Sequence, residues 1–432
     1  MTSASLPEEV KTETAAMPPA SMSMREVLRI RVMRRLWYAQ IVSNFGDFLA
    51  LFAVIGVLTF KLHATAQQVT GVQIAYQVPI ALLGIIAGVF VDRWPLKKTL
   101  VSSDLIRGLL VLLLLYSTEL WHFYLILAAI SVVSSFFGPA QGVVIREAVP
   151  FHGLRSSNAL MQQVMFIMRI VGPAAAGMLV ASFGPKACYL LDAASFFASA
   201  CFIASLAIKR AEAADLHKHT LAEDRGAIGK IWHDMREGLN FILHHAGLLF
   251  VILALASGMF VMGCFGPLIA VYVRDSIHGG NKIYGWASAM IGVGILSGIN
   301  VLNAYAVRVK NTILVYSGLV GIAVGLVILA AVTQVWTTMA GNFLIGFAVA
   351  GIIIPAQTMI QQETPRELMG RVGSTVMSCI FTAQILGLLL SGMLAQFTTV
   401  RMVFAICAGM ELVLAAAGKL FMEPKSEREQ PA

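Results

Sequence analysis

The sequence predicts an all-α polytopic membrane protein in which twelve transmembrane helices form two six-helix pseudo-repeats. Of its 432 residues, 58% are hydrophobic and only 12% are charged, whereas about 25% of the residues in a soluble protein are charged. The apolar runs are continuous rather than alternating, which favours helices over the strands of a membrane barrel. A helix also pairs its backbone polar groups internally, as a bilayer requires. In addition, short motifs of the first half of the chain recur in the second half.

The apolar segments are of the length that a helix needs to cross a bilayer, which is roughly 20 residues at 1.5 Å per residue. Polar or basic turns separate them. The predicted segments are 36–60, 69–91, 100–117, 122–145, 158–182, 187–208, 246–273, 284–307, 312–331, 336–358, 374–397 and 401–421.

The distribution of Lys and Arg predicts the orientation of these segments. Residues 1–35 are predicted to be a disordered tail followed by a basic surface helix, and the first apolar run is too long and too late for a signal peptide. Only five Lys and Arg fall on the predicted outer side and two lie within helices, so the other 24 of 31 are on the inner side. Cytoplasmic loops are enriched in these residues. We therefore expect both termini in the cytoplasm, at a bacterial-type inner (plasma) membrane, and attribute the net charge of +8 to topology rather than to nucleic-acid binding.

A polar connection at 209–245 separates the predicted six-helix halves, 36–208 and 246–421, and 422–432 forms a cytoplasmic tail. The connection contains five histidines without recognisable ligand spacing. It is therefore predicted to be a solvated linker, and we expect no metal site and no cofactor.

The two halves resemble each other in sequence. The tripeptide Pro-Ala-Gln at 139–141 recurs at 355–357, and Gly-Met-Leu at 177–179 recurs at 392–394. Six helices return the chain to its starting side, so the halves share one orientation.

The turn between the second and third segments contains Gly88, Asp92, Arg93 and Lys97. This spacing resembles the signature loop of the major facilitator superfamily, although Pro95 stands where the family usually has Gly. The parallel repeats match the architecture of that superfamily. The resemblance implies a secondary transporter that works by alternating access.

Helix 1 carries a polar stripe of Gln40, Ser43, Asn44 and Asp47, whose spacing places them on one helical face. A charged Asp near the bilayer centre costs about 2.5–3.5 kcal/mol, so Asp47 should be neutral, paired or facing water. In the superfamily, helices 1, 4, 7 and 10 line the central cavity, which implies that this stripe faces substrate. Gln141 of helix 4 is a further candidate for the cavity or for a helix–helix hydrogen bond.

Helix 5 contains Arg169, followed by Gly172, Pro173 and Gly177. The stretch resembles the Gly-Pro-rich motif of superfamily antiporters, although the upstream glycine is missing. Arg169 needs a partner or water because arginine keeps its proton. Two hypotheses remain open: a permanent ion pair between Asp47 and Arg169, or an Asp47 that alternates between protonation and pairing. The repeat offset maps Arg169 onto Gln384.

The resemblance also implies a cytoplasmic gate that closes when the cavity opens outward. The alternative is that the charged residues on the cytoplasmic side only anchor the loops. Asp192 in helix 6 and Glu411 in helix 12 are interpreted as structural. The predicted gate comprises Gly88, Asp92, Arg93, Lys97, Asp104, Arg107 and Arg146.

An apolar, Met-rich cavity suits an amphipathic or hydrophobic substrate better than a sugar or a small anion. The stretches 103–105 and 137–140, with the helix 5 motif, resemble the multidrug, macrolide and enterobactin efflux branch. This resemblance implies proton-coupled export, with membrane lipid around a chain that can work as a monomer.

Two functions other than export are also compatible with the sequence. The stretch Phe45-Gly46-Asp47 is also similar to lysophospholipid transporters, and a non-transporting sensor or scaffold is a third possibility. The chain has no HExxH, GxSxG or P-loop motif, so we do not expect an enzyme or an ATP-driven pump.

Overall fold

The computed structural model describes residues 22–91, 94–206, 236–305, 309–365 and 368–422. Within these ranges the regular elements are helical, which confirms the predicted fold class. Each helix pairs its own backbone groups, as the composition required. The long helices are α1 (Arg31–Gly56), α2 (Ala66–Val91), α3 (Leu96–Leu113), α4 (Leu120–Ala148), α5 (Leu154–Phe183), α6 (Pro185–Ala204), α7 (Ala246–Asp275), α8 (Asn281–Tyr305), α9 (Asn311–Ala331), α10 (Val335–Glu363), α11 (Met369–Phe397) and α12 (Val400–Ala417).

In the part of the chain that the structure describes, eleven helices are long and apolar enough to cross a membrane, and α2 is a further helix of 26 residues. Most helices are longer than the apolar segments that predicted them. Helix α5, for example, begins four residues before the predicted 158–182 and ends one residue after it. Hydropathy marks the part of a helix that lies in hydrocarbon, whereas backbone hydrogen bonding continues into the polar ends.

A short helix, Met24–Arg29, precedes α1. Ser23 and Glu26 cap it reciprocally, with the Ser23 backbone N–H donating to the Glu26 carboxylate at 2.7 Å. Val27 is buried beneath it, and the Ser156 hydroxyl at the start of α5 donates to the Met22 carbonyl at 2.6 Å. The helix is thus fixed to the end of the bundle that carries the N-terminus. The predicted tail before residue 22 lies outside the described residues.

The predicted linker lies mostly outside the described residues, which resume at 236. Residues 236–243 are helical. Within this segment, Glu237 pairs with Arg371 of α11 at 2.7 Å, and Gly238 packs against the Arg371 backbone. The end of the linker is therefore attached to the C-terminal half.

The two halves meet closely along α5 and α8. A Cβ atom on Gly285 of α8 would lie 2.6 Å from the Pro173 carbonyl and 2.8 Å from the Gly177 Cα, both on α5. Only glycine permits this approach of two helix backbones. On the α2–α11 side, a Cβ on Gly392 would lie 3.0 Å from the Thr70 Cβ. Because each helix crosses the bundle once, these contacts lie at the end opposite the termini.

Arg274, at the end of α7, links the halves at that same end. Helix α1 finishes in a π-helical turn, Val57–Lys61, whose last carbonyls lack partners within the helix. The Arg274 Nη1 donates to the Thr59 carbonyl at 3.0 Å and to the Ala64 carbonyl at 2.7 Å. The neighbouring Asp275 carboxylate accepts from the same guanidinium at 2.6 and 3.0 Å. We call Arg274 with these two carbonyls the Arg274 clamp.

Candidate functional site

Four charged side chains from three helices form a cluster inside the N-terminal half: Asp47 of α1, Asp104 and Arg107 of α3, and Asp192 of α6. We call it the carboxyl cluster. Asp104, Arg107 and Asp192 are 0%, 5% and 1% exposed, respectively. Such burial is costly unless the charges are paired or neutralised, so the arrangement of partners decides what the cluster can do.

Asp104 has two direct partners. Its carboxylate pairs with the Arg107 guanidinium one helical turn away, and its other oxygen accepts a hydrogen bond from the Ser199 hydroxyl of α6 at 2.6 Å. A carboxylate paired with arginine and bound by a hydroxyl is well satisfied in its charged form. The charge of Asp104 therefore neutralises that of Arg107, the positive residue of the cluster.

Arg107 is held between two aromatic rings. Its guanidinium carbon lies 4.6 Å from the centre of the Phe137 ring and 4.4 Å from the centre of the Phe196 ring. A cation over aromatic faces is stabilised by about 2 kcal/mol or more where water is excluded. Its Nε has no hydrogen-bond partner in the described part of the chain. The two rings thus fix the guanidinium in place, and its Nε–H is available as a hydrogen-bond donor.

Asp192 reaches the cluster because α1 and α6 approach closely at Gly46. A Cβ on Gly46 would collide with Ser195 Oγ and Asp192 Oδ1 and would lie 2.9 Å from Asp192 Cα. Ser195 Oγ donates to the Asp192 carbonyl at 2.7 Å and lies 3.3 Å from Asp192 Oδ1. Because Gly46 has no side chain, the Asp192 carboxyl can lie against the α1 backbone at this position, one residue before Asp47.

Asp47 is half-buried and is the most accessible acid of the cluster. It interacts electrostatically with Arg107, Asp104 and Asp192, and Tyr76 of α2 lies within range of its charge. The cluster thus brings three carboxyl groups to one guanidinium.

Arg169 is exposed on α5. Within the described residues Arg169 forms no ion pair with Asp47, and the cation that acts electrostatically on Asp47 is Arg107. Its neighbour Ile170 packs against Gly292 of α8, which places Arg169 beside the junction of the halves. An arginine in contact with hydrocarbon is strongly disfavoured, so we expect the exposed Arg169 side chain to face water rather than lipid.

Three predicted polar residues come together. The Gln141 side chain of α4 donates to the Gln40 side chain of α1 at 2.7 Å, and the Asn44 side chain donates to the Gln40 carbonyl at 2.8 Å. Both glutamines are half-buried. Gln384 lies in the other half on α11, where its backbone carbonyl is close to Gly263 of α7.

The residues predicted to form the gate do not occupy one place. Lys97 is half-buried and Arg146 exposed, both at the end that carries the termini. Asp104 and Arg107 belong instead to the carboxyl cluster, because they lie seven and ten residues beyond Lys97, about 10–15 Å deeper along α3. Gly88 lies within α2, and Asp92 and Arg93 are outside the described residues.

The predicted helix 5 motif takes part in packing. Gly172 faces Phe48 of α1, where a Cβ would lie 2.5 Å from the Phe48 Cβ. Pro173 and Gly177 form the junction with Gly285. The motif therefore joins α5 both to its own half and to the opposite half.

Sequence reasoning interpreted Asp192 as structural and did not place it beside Asp47. A signal was present in the spacing of α6, where Asp192, Ser195 and Ser199 lie three and four residues apart on one face. Gly46 directly before Asp47 was the matching signal on α1. The Arg274 clamp had no such signal, because its acceptors are backbone carbonyls.

A comparison with protein families identifies the architecture. The family model described as "Transmembrane secretion effector" matches residues 23–431. The chain belongs to this family, within the major facilitator superfamily. It is therefore a multi-pass membrane transporter, as the signature loop and the repeats predicted.

Relatives of this transporter are bacterial. It is 27% identical to the uncharacterized transporter YfiS of Bacillus subtilis, over 87% of this chain and 89% of the relative. It is 25% identical to macrolide efflux protein A of Streptococcus pyogenes, over 84% and 88%. It is 24% identical to the multidrug efflux pump Tap of Mycobacterium tuberculosis, over 91% and 96%.

Solved structures show the same fold at low identity. A bacterial homologue of the lysosomal transporter Spinster superposes with a TM-score of 0.67 at 12% identity, covering 93% of this chain and 98% of that structure. The nucleoside transporter NupG superposes with a TM-score of 0.66 at 13% identity, covering 91% and 100%.

Proposed function

We propose that this transporter exports amphipathic or hydrophobic small molecules in exchange for protons, by alternating access. The observation that carries the proposal is the carboxyl cluster: three acids inside a membrane helix bundle facing one fixed cation. Such groups are rarely buried in membranes without a functional reason. They can gain and lose protons, whereas Arg107 cannot.

Alternating access is supported by the contacts between the halves. The Gly177–Gly285 approach and the Arg274 clamp join them at the end opposite the termini. With the termini in the cytoplasm, as the charge distribution predicts, that end faces outward. Rocking of the two halves would open this end and close the opposite end.

The substrate class is supported by relatives and by the site. Two relatives bear the names macrolide efflux protein A and multidrug efflux pump Tap. The polar groups that link α1 and α4 are neutral amides rather than a charged set. A few neutral hydrogen-bonding groups among apolar side chains suit a large, weakly polar molecule.

Within this proposal, Asp47 is the acid that alternates between protonated and charged forms, because it is half-buried and interacts electrostatically with Arg107. Arg169 lines the substrate space, together with Gln40, Asn44, Gln141 and Gln384. Gly88, Lys97 and Arg146, with Asp92 and Arg93, remain the proposed cytoplasmic gate. One chain supplies a complete pathway, so we propose that the monomer is functional.

Transport into liposomes tests the proposal. Purified protein is reconstituted, a pH gradient is imposed, and accumulation of ethidium and of a macrolide is measured for wild type, Asp47→Asn and Glu411→Gln. Glu411 is the matched control, since it is a fully buried acid of the other half, hydrogen-bonded to Ser257 at 3.2 Å.

The expected result is gradient-dependent accumulation in wild type and Glu411→Gln, and its loss in Asp47→Asn. Movement of lysophospholipid without dependence on the gradient would overturn the proposal in favour of a lipid transporter. A protein that moves none of these compounds in the same assay would support a sensor or scaffold instead.

A further inference from the structure

The carboxyl cluster contains more acid than its cation can balance. With all three acids charged, Arg107 would leave a net charge of −2 in a buried site. Each uncompensated buried ion costs several kcal/mol, and neighbouring like charges oppose each other's ionisation. Asp104 already uses Arg107 directly and Ser199 as well. The imbalance therefore falls on Asp47 and Asp192.

The groups around Asp192 do not supply a second cation. Asp47 of α1, Tyr76 of α2 and Arg107 of α3 interact with it electrostatically, and Cys188 lies one turn away on α6 itself. The Ser195 hydroxyl lies 3.3 Å from its Oδ1. Among the described residues, Arg107 is the positive charge that acts on Asp192.

Asp47 and Asp192 differ in access. Asp47 is half-buried, whereas Asp192 is 1% exposed behind Gly46. The glycine brings the Asp192 carboxyl against the α1 backbone at the residue before Asp47. The pair thus contains one partly accessible acid and one fully buried acid.

We infer that Asp192 is a second proton-binding residue that titrates jointly with Asp47, an inference that rests on the proposed proton coupling. With both acids protonated, the cluster is neutral. Release of one proton leaves a single negative charge on the pair, and the remaining proton can move between the two carboxyls without changing that charge. Asp192 thereby shares with Asp47 the negative charge that proton release creates during substrate exchange.

A purely structural Asp192 would behave differently. It would hydrogen-bond Ser195, support the α1–α6 contact and contribute to stability, but the protonation of Asp47 would not depend on it. A proton-binding role and a structural role of Asp192 can therefore be distinguished by whether Asp47 and Asp192 titrate together, since interacting acids lose their protons in joint steps.

Infrared spectroscopy of the reconstituted full chain, without substrate, measures this coupling. The carbonyl stretch of protonated carboxyl groups is followed as a function of pH for wild type, Asp47→Asn, Asp192→Asn and the double variant. Glu411→Gln is the control: this variant also lacks one buried acid, but in the other half of the protein. Thermal unfolding of each variant is recorded alongside.

We expect the signal of protonated carboxyl groups to titrate in two joint steps in wild type and in one step in each single Asp variant. The signal lost in the double variant should be smaller than the sum of the signals lost in the two single variants. Glu411→Gln should lose only its own signal and keep both steps. If Asp192→Asn does not fold, Asp47→Asn reports the same coupling from the other residue.

An Asp47 signal that titrates identically with and without Asp192 would overturn the inference. Because no substrate is present, this result is independent of the transport assay. Failure of ethidium transport with joint titration intact would count against the proposed substrate, whereas transport with independent titration would count against the role of Asp192.

Discussion

Replacing Arg274 by Gln is expected to weaken the closed end of the transporter. The Arg274 guanidinium binds two carbonyls of the opposite half, at 3.0 and 2.7 Å. A hydrogen bond from a charged donor contributes about 1.5–3 kcal/mol, and the two bonds share one nitrogen on a partly exposed side chain. A loss of about 2 kcal/mol for the pair corresponds to a roughly 30-fold shift in the equilibrium between closed and open ends.

Spin labels at Leu62 and His278 would report this shift, because both positions are exposed and lie at that end in opposite halves. Pulsed electron–electron distance measurements should show one short distance in wild type and a strongly increased long-distance population in Arg274→Gln. Arg401→Gln is the matched control, since Arg401 binds the Ala330 carbonyl at 2.7 Å within one half. Equal distance distributions in Arg274→Gln and wild type, or an equal shift in Arg401→Gln, would refute the clamp.

Three further predictions concern close contacts and the N-terminal helix. Gly46→Val should lower the thermal unfolding temperature, since its side chain would collide with Asp192 and overpacking costs about 1–3 kcal/mol; Gly138→Ala, with open space around it, should have little effect. Gly285→Leu should prevent the halves from closing at the outer end, measured with the same spin labels; an unchanged short distance would contradict the contact. A hydrogen bond from the Ser23 backbone lowers the pKa of Glu26 below its ordinary 4.5, so its capping contribution should be complete above pH 4.5 and disappear as pH falls through the lowered pKa. Amide hydrogen exchange in that helix measures this effect, and protection that does not change over the acidic range would argue against it.

The fold was predictable because a bilayer restricts what a chain can do. Long apolar runs must become helices, and basic turns indicate which side they face. The ends were less predictable, as α5 illustrates, because polar residues continue a helix that hydropathy no longer marks.

The site was only partly predictable. The polar stripe of α1 appears in the sequence as a helical period, and Gln141 does meet Gln40. The approach of α1 to α6 at Gly46 depends on helix packing, which no pattern within one segment encodes. Asp104 and Arg107 were assigned to the cytoplasmic gate by resemblance, and their part in a gate stays a prediction; their spacing from Lys97 corresponds to about 10–15 Å along α3.

The most direct test of the account is substrate-driven proton movement. Liposomes containing the purified transporter start without a pH gradient, ethidium is added on one side, and internal pH is recorded with a trapped dye. The account predicts a pH change in wild type and Glu411→Gln that is absent in Asp47→Asn. Ethidium transport without any pH change in wild type, or an unaltered pH change in Asp47→Asn, would contradict it.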